Sequence, residues 1–285
     1  PGDILISRLP DPVGRACIIP QLGVKCITGV DCSIVRLSHE IDANWFIRYS
    51  QSKAYQAQIE SSVTGTTRKR ISRKNLGKVE IPLPPLDEQK RIAGILDEAD
   101  RVRKKTQALI DKYDELAQSL FLDMFGDPVT NSKEWDIVKL EAICTVSNAK
   151  AAPAEIQIGT SYVGLEHIDP DGTYSSKIVS AGELKSTKNL FKPGQILFGK
   201  LRPYLRKTAP TTTSGICSTD VLAIQPNEDV VTQYLTSFLR LDSTVKLATE
   251  KCSGANLPRI SSKELLRFSI PLPPLAIQKH FGMKM

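Results

Sequence analysis

The chain has 285 residues, of which 41% are hydrophobic and 24% charged, and this balance excludes a wholly disordered protein. No stretch approaches the roughly 18 apolar residues of a membrane-spanning helix, and the first residues lack the basic start and apolar core of a signal peptide. Lysine and arginine number 38 against 31 acidic residues, and this excess permits a polyanionic partner. The length predicts about two domains.

The cysteines and histidines do not form a metal-binding pattern. The six cysteines contain no Cys-x-x-Cys pair, and the chain has only three histidines. No zinc spacing follows from these residues, so we expect reduced thiols in a cytosolic protein, with redox chemistry as the alternative.

Residues 1–86 contain short segments of mixed type. PGDILISRL at 1–9 opens the chain, and residues 44–62 space their apolar side chains like one amphipathic helix. RKRISRKNLGK at 68–78 carries six positive charges and no acid, and IPLPPL follows at 81–86. This mixture is typical of an α+β domain.

Residues 87–124 have the pattern of one long helix. They contain no proline, and apolar or small residues recur about every 3.5 positions, which is typical of a supercoiled helix. The predicted interface positions are Ile92, Leu96, Ala99, Val102, Leu109, Tyr113, Leu116 and Leu120. A helix of about 38 residues extends for about 55 Å. Its apolar stripe must be covered, and we expect the cover to be either a further helix of the same polypeptide or a second copy of the chain.

After the helix the chain repeats itself. PGQILFGKL at 193–201 matches residues 1–9, and IPLPPL returns at 270–275. Gly65 and Gly254 each precede an Ile-Ser pair by six residues. A period of about 190 residues is too long for a solenoid and indicates a duplicated domain. Residues 135–192 have no counterpart ahead of residue 1, so we expect the first copy to be incomplete at its N-terminus.

The predicted fold class is therefore α+β, with two α/β domains joined by a long coiled-coil-type helix. The predicted divisions are a first domain at 1–86, a spacer helix at 87–126, a second domain at 127–275 and the start of a truncated distal helix at 276–285. Residues 233–251, like 44–62, predict one amphipathic helix. Ala276 stands where the first copy has Asp87, which predicts a weaker helix start in the second copy.

The sequence contains no recognisable catalytic motif. It lacks GxxxxGK[ST], GxSxG and HExxH, and Asp220 and Glu228 are scattered acids without a nuclease-like spacing. We therefore expect no catalysis within this chain.

Basic residues near the repeated anchors are the candidates for binding DNA, since arginine and lysine bind phosphates and arginine also recognises guanine. The candidates are Arg8, Arg15, Arg68, Lys69 and Arg70 in the first copy, and Lys200, Arg202, Tyr204, Arg206, Lys207, Asn256 and Arg259 in the second. The alternative for the charged runs is an ordinary solvated surface. For Asn256, which could read adenine, the alternative is a turn residue.

The segment IPLPPLDEQKRIAGILDEADRVRKKTQALIDKYDELAQSLFLDMFGDP at 81–128 closely resembles the central repeat of type I restriction–modification specificity subunits. The second IPLPPL and the upstream GQILFGKLRPYL agree with this resemblance, which covers essentially the whole chain. It implies two target-recognition domains that each read one half of a split DNA site. It also implies long antiparallel helices that act as a ruler between the two half-sites.

The same resemblance implies the partners. Two modification subunits dock on such a scaffold and carry S-adenosylmethionine and the adenine N6-methylation chemistry. Two restriction subunits add translocation and cleavage that depend on ATP and Mg. The specificity subunit itself has no cofactor and is not an enzyme, and the complex acts on double-stranded DNA in the prokaryotic cytoplasm, without a membrane.

Two other functions remain open at this stage. One is a coiled-coil assembly protein with only non-specific DNA affinity, which would be lost at moderate salt. The other is a self-contained methyltransferase or nuclease, which would bind S-adenosylmethionine or a divalent metal by itself.

Overall fold

The computed structural model describes residues 2–10, 12–21, 23–24, 27–65, 69–180 and 184–284. The chain divides into two compact units, Pro1–Gln107 and Ala108–Met285. The division falls inside one long helix, which contributes its first part to unit 1 and its second part to unit 2.

Unit 1 is built on a three-stranded antiparallel sheet. Its strands are β1 (Ile4–Ser7), β2 (Ala16–Ile18) and β3 (Cys32–Val35), in the order β2-β1-β3. Its helices are α1 (Ala43–Ser50), α2 (Lys53–Ser62), α3 (Arg73–Leu76) and the first part of α4 (Leu86–Phe125). Alternate residues of β1 are buried, with Ile4 and Ile6 in one cluster with Trp45 and Phe46, because side chains along a strand point alternately to its two faces.

Unit 2 is larger, and its described residues form three sheets. The strands are β4 (Ile137–Lys139), β5 (Cys144–Val146), β6 (Lys150–Ala151), β7 (Ser161–Val163), β8 (Lys177–Ile178), β9 (Lys188–Phe191), β10 (Ile196–Gly199), β11 (Thr208–Pro210), β12 (Gly215–Cys217), β13 (Val221–Pro226) and β14 (Ser269–Pro271). The sheet orders are β11-β10-β13-β5, β6-β9-β12-β7-β8 and β14-β4. Among the pairs, β12 and β7 run parallel and the others run antiparallel.

The helices of unit 2 pack with the end of α4 around an aromatic core. They are α5 (Leu140–Ile143), α6 (Thr232–Arg240), α7 (Asp242–Glu250), α8 (Ser262–Leu266) and α9 (Leu275–Gly282). Phe121 of α4 stacks on Tyr234 of α6 at a centroid distance of 5.3 Å. Phe121 meets Phe281 of α9 edge to face, and Phe125 meets both Tyr234 and Phe281 in the same way, at 4.7–5.8 Å. All four rings are almost fully buried, so the end of α4 is part of this core.

The two units contain the same framework, which confirms the duplication predicted from sequence. Strands β1, β2 and β3 correspond to β10, β11 and β13, and the sheet order is the same. Helices α1, α2 and α3 correspond to α6, α7 and α8, and the starts of α4 and α9 correspond. The matched segments are 192 residues apart at the start of the repeat and 189 apart at its end, so the first copy is three residues longer. The difference lies in the connection from β2 to β3, which is longer than that from β11 to β13.

The prediction of one amphipathic helix at 44–62 and another at 233–251 was wrong, because each segment forms two helices. In unit 1 the Ser52 hydroxyl accepts a hydrogen bond from the Tyr55 backbone N–H and starts α2. In unit 2 the break falls at Leu241, whose backbone is extended (φ −59°, ψ 143°). Leu241 is also buried in the core, so apolar periodicity continues across the break and conceals it.

The long helix was predicted correctly and spans 40 residues without interruption. The weaker helix start expected at Ala276 does not prevent helix formation, because α9 begins at Leu275, the counterpart of Leu86. In the described ranges no helix is both long and apolar enough to cross a membrane.

Candidate nucleic-acid interface

The connection between β10 and β11 in unit 2 presents an aromatic and a basic side chain to solvent. It contains a single 3-10 turn, Pro203–Leu205, flanked by Arg202 and Arg206, whose φ angles are 53° and 54°. The left-handed conformation costs a residue with a β-carbon about 1–2 kcal/mol. The surrounding contacts must therefore hold this loop. Tyr204 is 49% exposed, and Arg202 is also exposed.

A second loop lies next to the first. Ser253 and Arg259 exchange two backbone hydrogen bonds of 2.9 Å, and Gly254 makes the turn with a φ of 93°. The Arg202 N–H donates to the Pro258 carbonyl at 2.8 Å, which joins the two loops. We call residues 200–207 and 253–259 together the paired-loop surface of unit 2. Asn256 is exposed on it.

Several of the predicted basic residues are already engaged within the protein. The Arg259 Nε is 2.9 Å from Asp220 Oδ1, and this hydrogen bond raises the pKa of Arg259. Lys200 is 3.9 Å from the same carboxylate. Lys207 donates from Nζ to the carbonyls of Leu165 and Ile168, at 2.6 and 3.0 Å. These three cations therefore help to hold the loops in place.

Arg202 and Arg206 were both predicted to bind DNA, but only Arg206 has partners within the protein. Arg206 forms ion pairs with Asp114 of α4 and Asp242 of α7. Arg202 has no hydrogen-bond or ion-pair partner through its side chain in the part of the chain that the structure describes. Of the residues predicted to bind DNA in unit 2, those that the structure leaves exposed are therefore Arg202, Tyr204 and Asn256.

Unit 1 has the equivalent surface, of which the structure describes residues 8–10, 12–15, 64–65 and 69–70. Thr64 and Arg70 pair as Ser253 and Arg259 do, and Gly65 has a φ of 96°. Arg70 is 3.1 Å from Asp31, the counterpart of Asp220. Arg8 donates from its side chain to the Ile71 and Val30 carbonyls, at 3.0 and 2.8 Å.

The remaining predicted residues of unit 1 are Arg15, Lys69 and Arg68. Lys69 and Arg15 are exposed. Arg68 lies outside the residues that the structure describes. The prediction that all of these residues bind DNA stays a prediction.

Comparison of the two units distinguishes contacts that recur in both copies, which we call the frame, from exposed side chains that differ between them. The Arg–Asp pair is present in both copies, as Arg70 with Asp31 and as Arg259 with Asp220, so it belongs to the frame. Sequence reasoning missed this role and treated Asp220 as a scattered acid. The signal was present, since Asp31 and Asp220 have the same spacing in the repeat as their arginines. By contrast, the first copy has Pro10 and Pro12 where the second has Arg202 and Tyr204, so these positions vary on one frame.

The apolar stripe predicted on α4 is exposed between its two ends. Ile92 packs on the core of unit 1, and Leu120 packs on the core of unit 2. The exposed positions between them, which we call the seam, are Leu96, Ala99, Val102, Leu109, Tyr113 and Leu116. Four of these, Val102, Leu109, Tyr113 and Leu116, are 52–63% exposed.

The thiols and carboxylates show no metal-binding arrangement in the described residues, where no group of three or more potential ligands gathers. Burial raises the pKa of both Cys144 and Cys217 to about 12. A thiol with so high a pKa is almost wholly protonated near neutrality and is a poor nucleophile.

Comparison with known proteins places the chain in a family. A family model described as "Type I restriction modification DNA specificity domain" matches residues 1–112 and 132–282. The chain is 27% identical over 146 residues to the type I restriction enzyme EcoDI specificity subunit of Escherichia coli, an alignment that covers 50% of this chain and 32% of that subunit. It is 23% identical over 282 residues to the MjaVIII specificity subunit of Methanocaldococcus jannaschii, covering 90% of this chain and 66% of the relative. The chain thus spans about one third and two thirds of the lengths of these two relatives.

Two solved structures share the fold. One is the type I restriction–modification system S subunit from M. genitalium, with a TM-score of 0.59 and 17% identity over 99% of this chain and 74% of that one. The other is a chain from a study of complex assembly and conformational transition of the type I R-M system, with a TM-score of 0.51 and 19% identity over 99% of this chain and 73% of that one. Because the family model matches most of the sequence, the chain belongs to the type I restriction modification DNA specificity domain family.

Proposed function

We propose that the chain recognises DNA sequence within a type I restriction–modification complex and carries out no catalysis itself. One observation carries this proposal. The same Arg–Asp frame occurs twice and bears different exposed side chains at equivalent positions. Two copies of one frame that carry different exposed side chains are suited to reading two different half-sites of one split target.

The chemistry of the unit 2 tips supports DNA as the ligand. The Arg202 side chain has no partner among the described residues, so it is available for a phosphate or for the O6 and N7 atoms of guanine. Asn256 has the side chain that pairs with the N6 and N7 atoms of adenine. The neighbouring cations Lys200 and Arg259 add positive potential while they hold the frame.

The partners follow from the family as part of the same proposal. Two modification subunits, which hold S-adenosylmethionine, dock on the helical spacer, and restriction subunits supply the steps that need ATP and Mg. Adenine methylation in a duplex requires the base to be extruded, so recognition and chemistry are separable onto different subunits. We place this assembly on double-stranded DNA in the prokaryotic cytoplasm.

The seam on α4 provides the proposed helix contact. Exposed apolar residues at coiled-coil spacing are stabilised when a second helix covers them. We propose that this second helix comes either from a distal helix of the polypeptide or from a second copy of the chain, and that the pair sets the spacing between half-sites.

The test is methylome sequencing of cells that express the chain together with its modification subunit, with cells that express the modification subunit alone as control. We expect N6-methyladenine at one split motif with a fixed spacer, only when the chain is present. A palindromic motif would indicate that two copies of one unit read the site. Absence of methylation from subunits that co-purify would contradict the proposal and favour an assembly protein with non-specific DNA affinity.

A further inference from the structure

The duplication makes Arg206 an unusual residue at its position. Its counterpart in unit 1 is Gly14, and both adopt the left-handed conformation, with φ angles of 54° and 84°. Glycine adopts this conformation without steric penalty, whereas a residue with a β-carbon does not. At this position the second copy therefore keeps a side chain that makes the local backbone less stable.

The neighbouring helix differs in a way that accommodates this side chain. A β-carbon on Gly14 would lie 2.9 Å from Ile59 Cγ1 on α2. In unit 2 the residue equivalent to Ile59 is Ala248 on α7, which is smaller by three carbon atoms and buried. Helix α7 also packs against the Pro203–Leu205 turn. The second copy thus has room for a β-carbon where the first has none.

The guanidinium of Arg206 connects the loop to two helices. Its Nη1 is 3.4 Å from Asp114 Oδ2 on α4, and its Nη2 pairs with Asp242 at the start of α7. Asp114 also pairs with Arg240, a mostly buried residue at the end of α6. A charge-assisted pair to a carboxylate that is itself held by a second arginine fixes the geometry more firmly than an isolated surface pair.

We infer that Arg206 is a positioning residue that anchors the loop bearing Arg202 and Tyr204 to helix α4 through Asp114. Arg206 thereby determines how sharply unit 2 discriminates between sequences without itself contacting DNA. The effect on DNA recognition rests on the proposed function. The anchoring is independent of that function, because it concerns the hydrogen-bonded turn in which the Leu205 N–H donates to Arg202 and the Arg206 N–H donates to Pro203.

Two variants remove the anchor from opposite sides. Arg206→Gly introduces the residue that the first copy uses, so the backbone is relaxed and the protein should fold. Asp114→Asn leaves the loop sequence unchanged and removes the carboxylate charge on α4. The control is Arg267→Ala, which removes an exposed arginine whose partner is Glu264 on the preceding helix, α8.

The first readout is amide hydrogen exchange of residues 202–208 in the whole chain. We expect exchange about tenfold faster in Arg206→Gly and in Asp114→Asn, with no change in Arg267→Ala. The double variant should be little faster than either single variant, because both variants remove the same pair between Arg206 and Asp114. Unchanged exchange in both single variants, with the melting temperature preserved, would overturn the inference.

The second readout is DNA binding as a function of salt, with duplexes selected from a randomised pool by the unaltered chain and random duplexes as the reference. We expect Arg206→Gly to lower the ratio of selected to random affinity about tenfold and to leave the salt slope unchanged. Arg202→Ala should instead reduce the slope by about one. A slope reduced by one in Arg206→Gly would show that Arg206 contacts phosphate and would overturn the inference. If the unaltered chain selects no sequence, the proposed function fails, and hydrogen exchange still decides the anchoring role.

Discussion

Gln89 and Gln278 make the same three hydrogen bonds at equivalent positions of the two units. Each is fully buried in the first turn of its helix. Gln89 accepts from the Asp42 N–H and donates to the Glu40 and Pro84 carbonyls, each at 2.8 Å. Gln278 accepts from the Val231 N–H at 2.9 Å and donates to the Asp229 and Pro273 carbonyls, at 3.2 and 2.8 Å. The Gln89 amide thus joins the start of α4 to the start of α1, and the Gln278 amide joins the start of α9 to the start of α6. This contact helps α9 to form although Ala276 stands where the first copy has Asp87.

Replacing either glutamine with methionine should therefore be strongly destabilising. Gln278→Met keeps the side-chain volume but leaves up to three backbone groups without partners, which we expect to cost about 2–4 kcal/mol. Gln89→Met should behave alike in unit 1. Denaturant unfolding would measure this, with the exposed Gln157→Met as control. A loss no larger than that of the control would show that water replaces these bonds.

Replacing Gly14 with alanine should cause a steric clash whose cost can be measured separately from that of backbone strain. Gly14→Ala places a β-carbon against Ile59, whereas Gly194→Ala has nearly the same φ, 82° against 84°, and opens into free space. Both should lose about 1–2 kcal/mol to the left-handed conformation. We expect Gly14→Ala to lose about 1–3 kcal/mol more through overpacking. Equal free energies of unfolding for the two variants would mean that Ile59 moves aside at no cost.

The buried cysteines should react with alkylating reagents much more slowly than the exposed one. Cys144 and Cys217 are buried, and burial raises their pKa to about 12, whereas Cys17 is exposed. With iodoacetamide at pH 8, mass spectrometry should find Cys17 modified and the two buried thiols unmodified in the folded chain. Modification of Cys144 at the same rate as Cys17 would contradict its burial.

The same two thiols should make the free energy of unfolding fall as the pH rises above 9. In the unfolded chain a thiol ionises near pH 9, whereas in the folded chain it stays protonated until about pH 12. Their contribution is therefore fully present below pH 9 and is lost as the pH rises from 9 towards 12. Urea unfolding of the Cys144→Ala, Cys217→Ala double variant, compared with the unaltered chain, should show a smaller decline over that interval.

The seam predicts self-association if a second copy covers it. Leu116 is 62% exposed on the seam, and Leu122 is 43% exposed on another face of α4. Leu116→Ser should weaken the association measured by analytical ultracentrifugation about tenfold, and Leu122→Ser should leave it unchanged. Neither variant should lower the melting temperature of the monomer appreciably, since neither side chain is buried in its unit. An unaltered chain that stays monomeric at all concentrations would exclude a second copy as the cover.

Short-range patterns in the sequence predicted most of the framework. The helix predicted at 87–124 runs from Leu86 to Phe125, because its period and its proline-free composition are local properties. The matched anchors predicted two copies of one framework, because repeated motifs in the same order indicate a duplicated domain. The helices at 44–62 and 233–251 were predicted as single elements, because apolar periodicity records which residues are buried and does not record where a buried chain bends, as at Leu241.

The sequence alone determined the duplication, the spacer helix and the set of basic residues near the repeated anchors. It could not distinguish Arg202 from Arg206, which lie four residues apart in one basic run. Tertiary structure decides this, because Asp114 and Asp242 are brought to Arg206 from distant parts of the chain and neutralise it, while Arg202 remains exposed. Whether a charge is available to a ligand depends on which opposite charges the fold places within a few ångströms of it, and that distance is not a property of the local sequence.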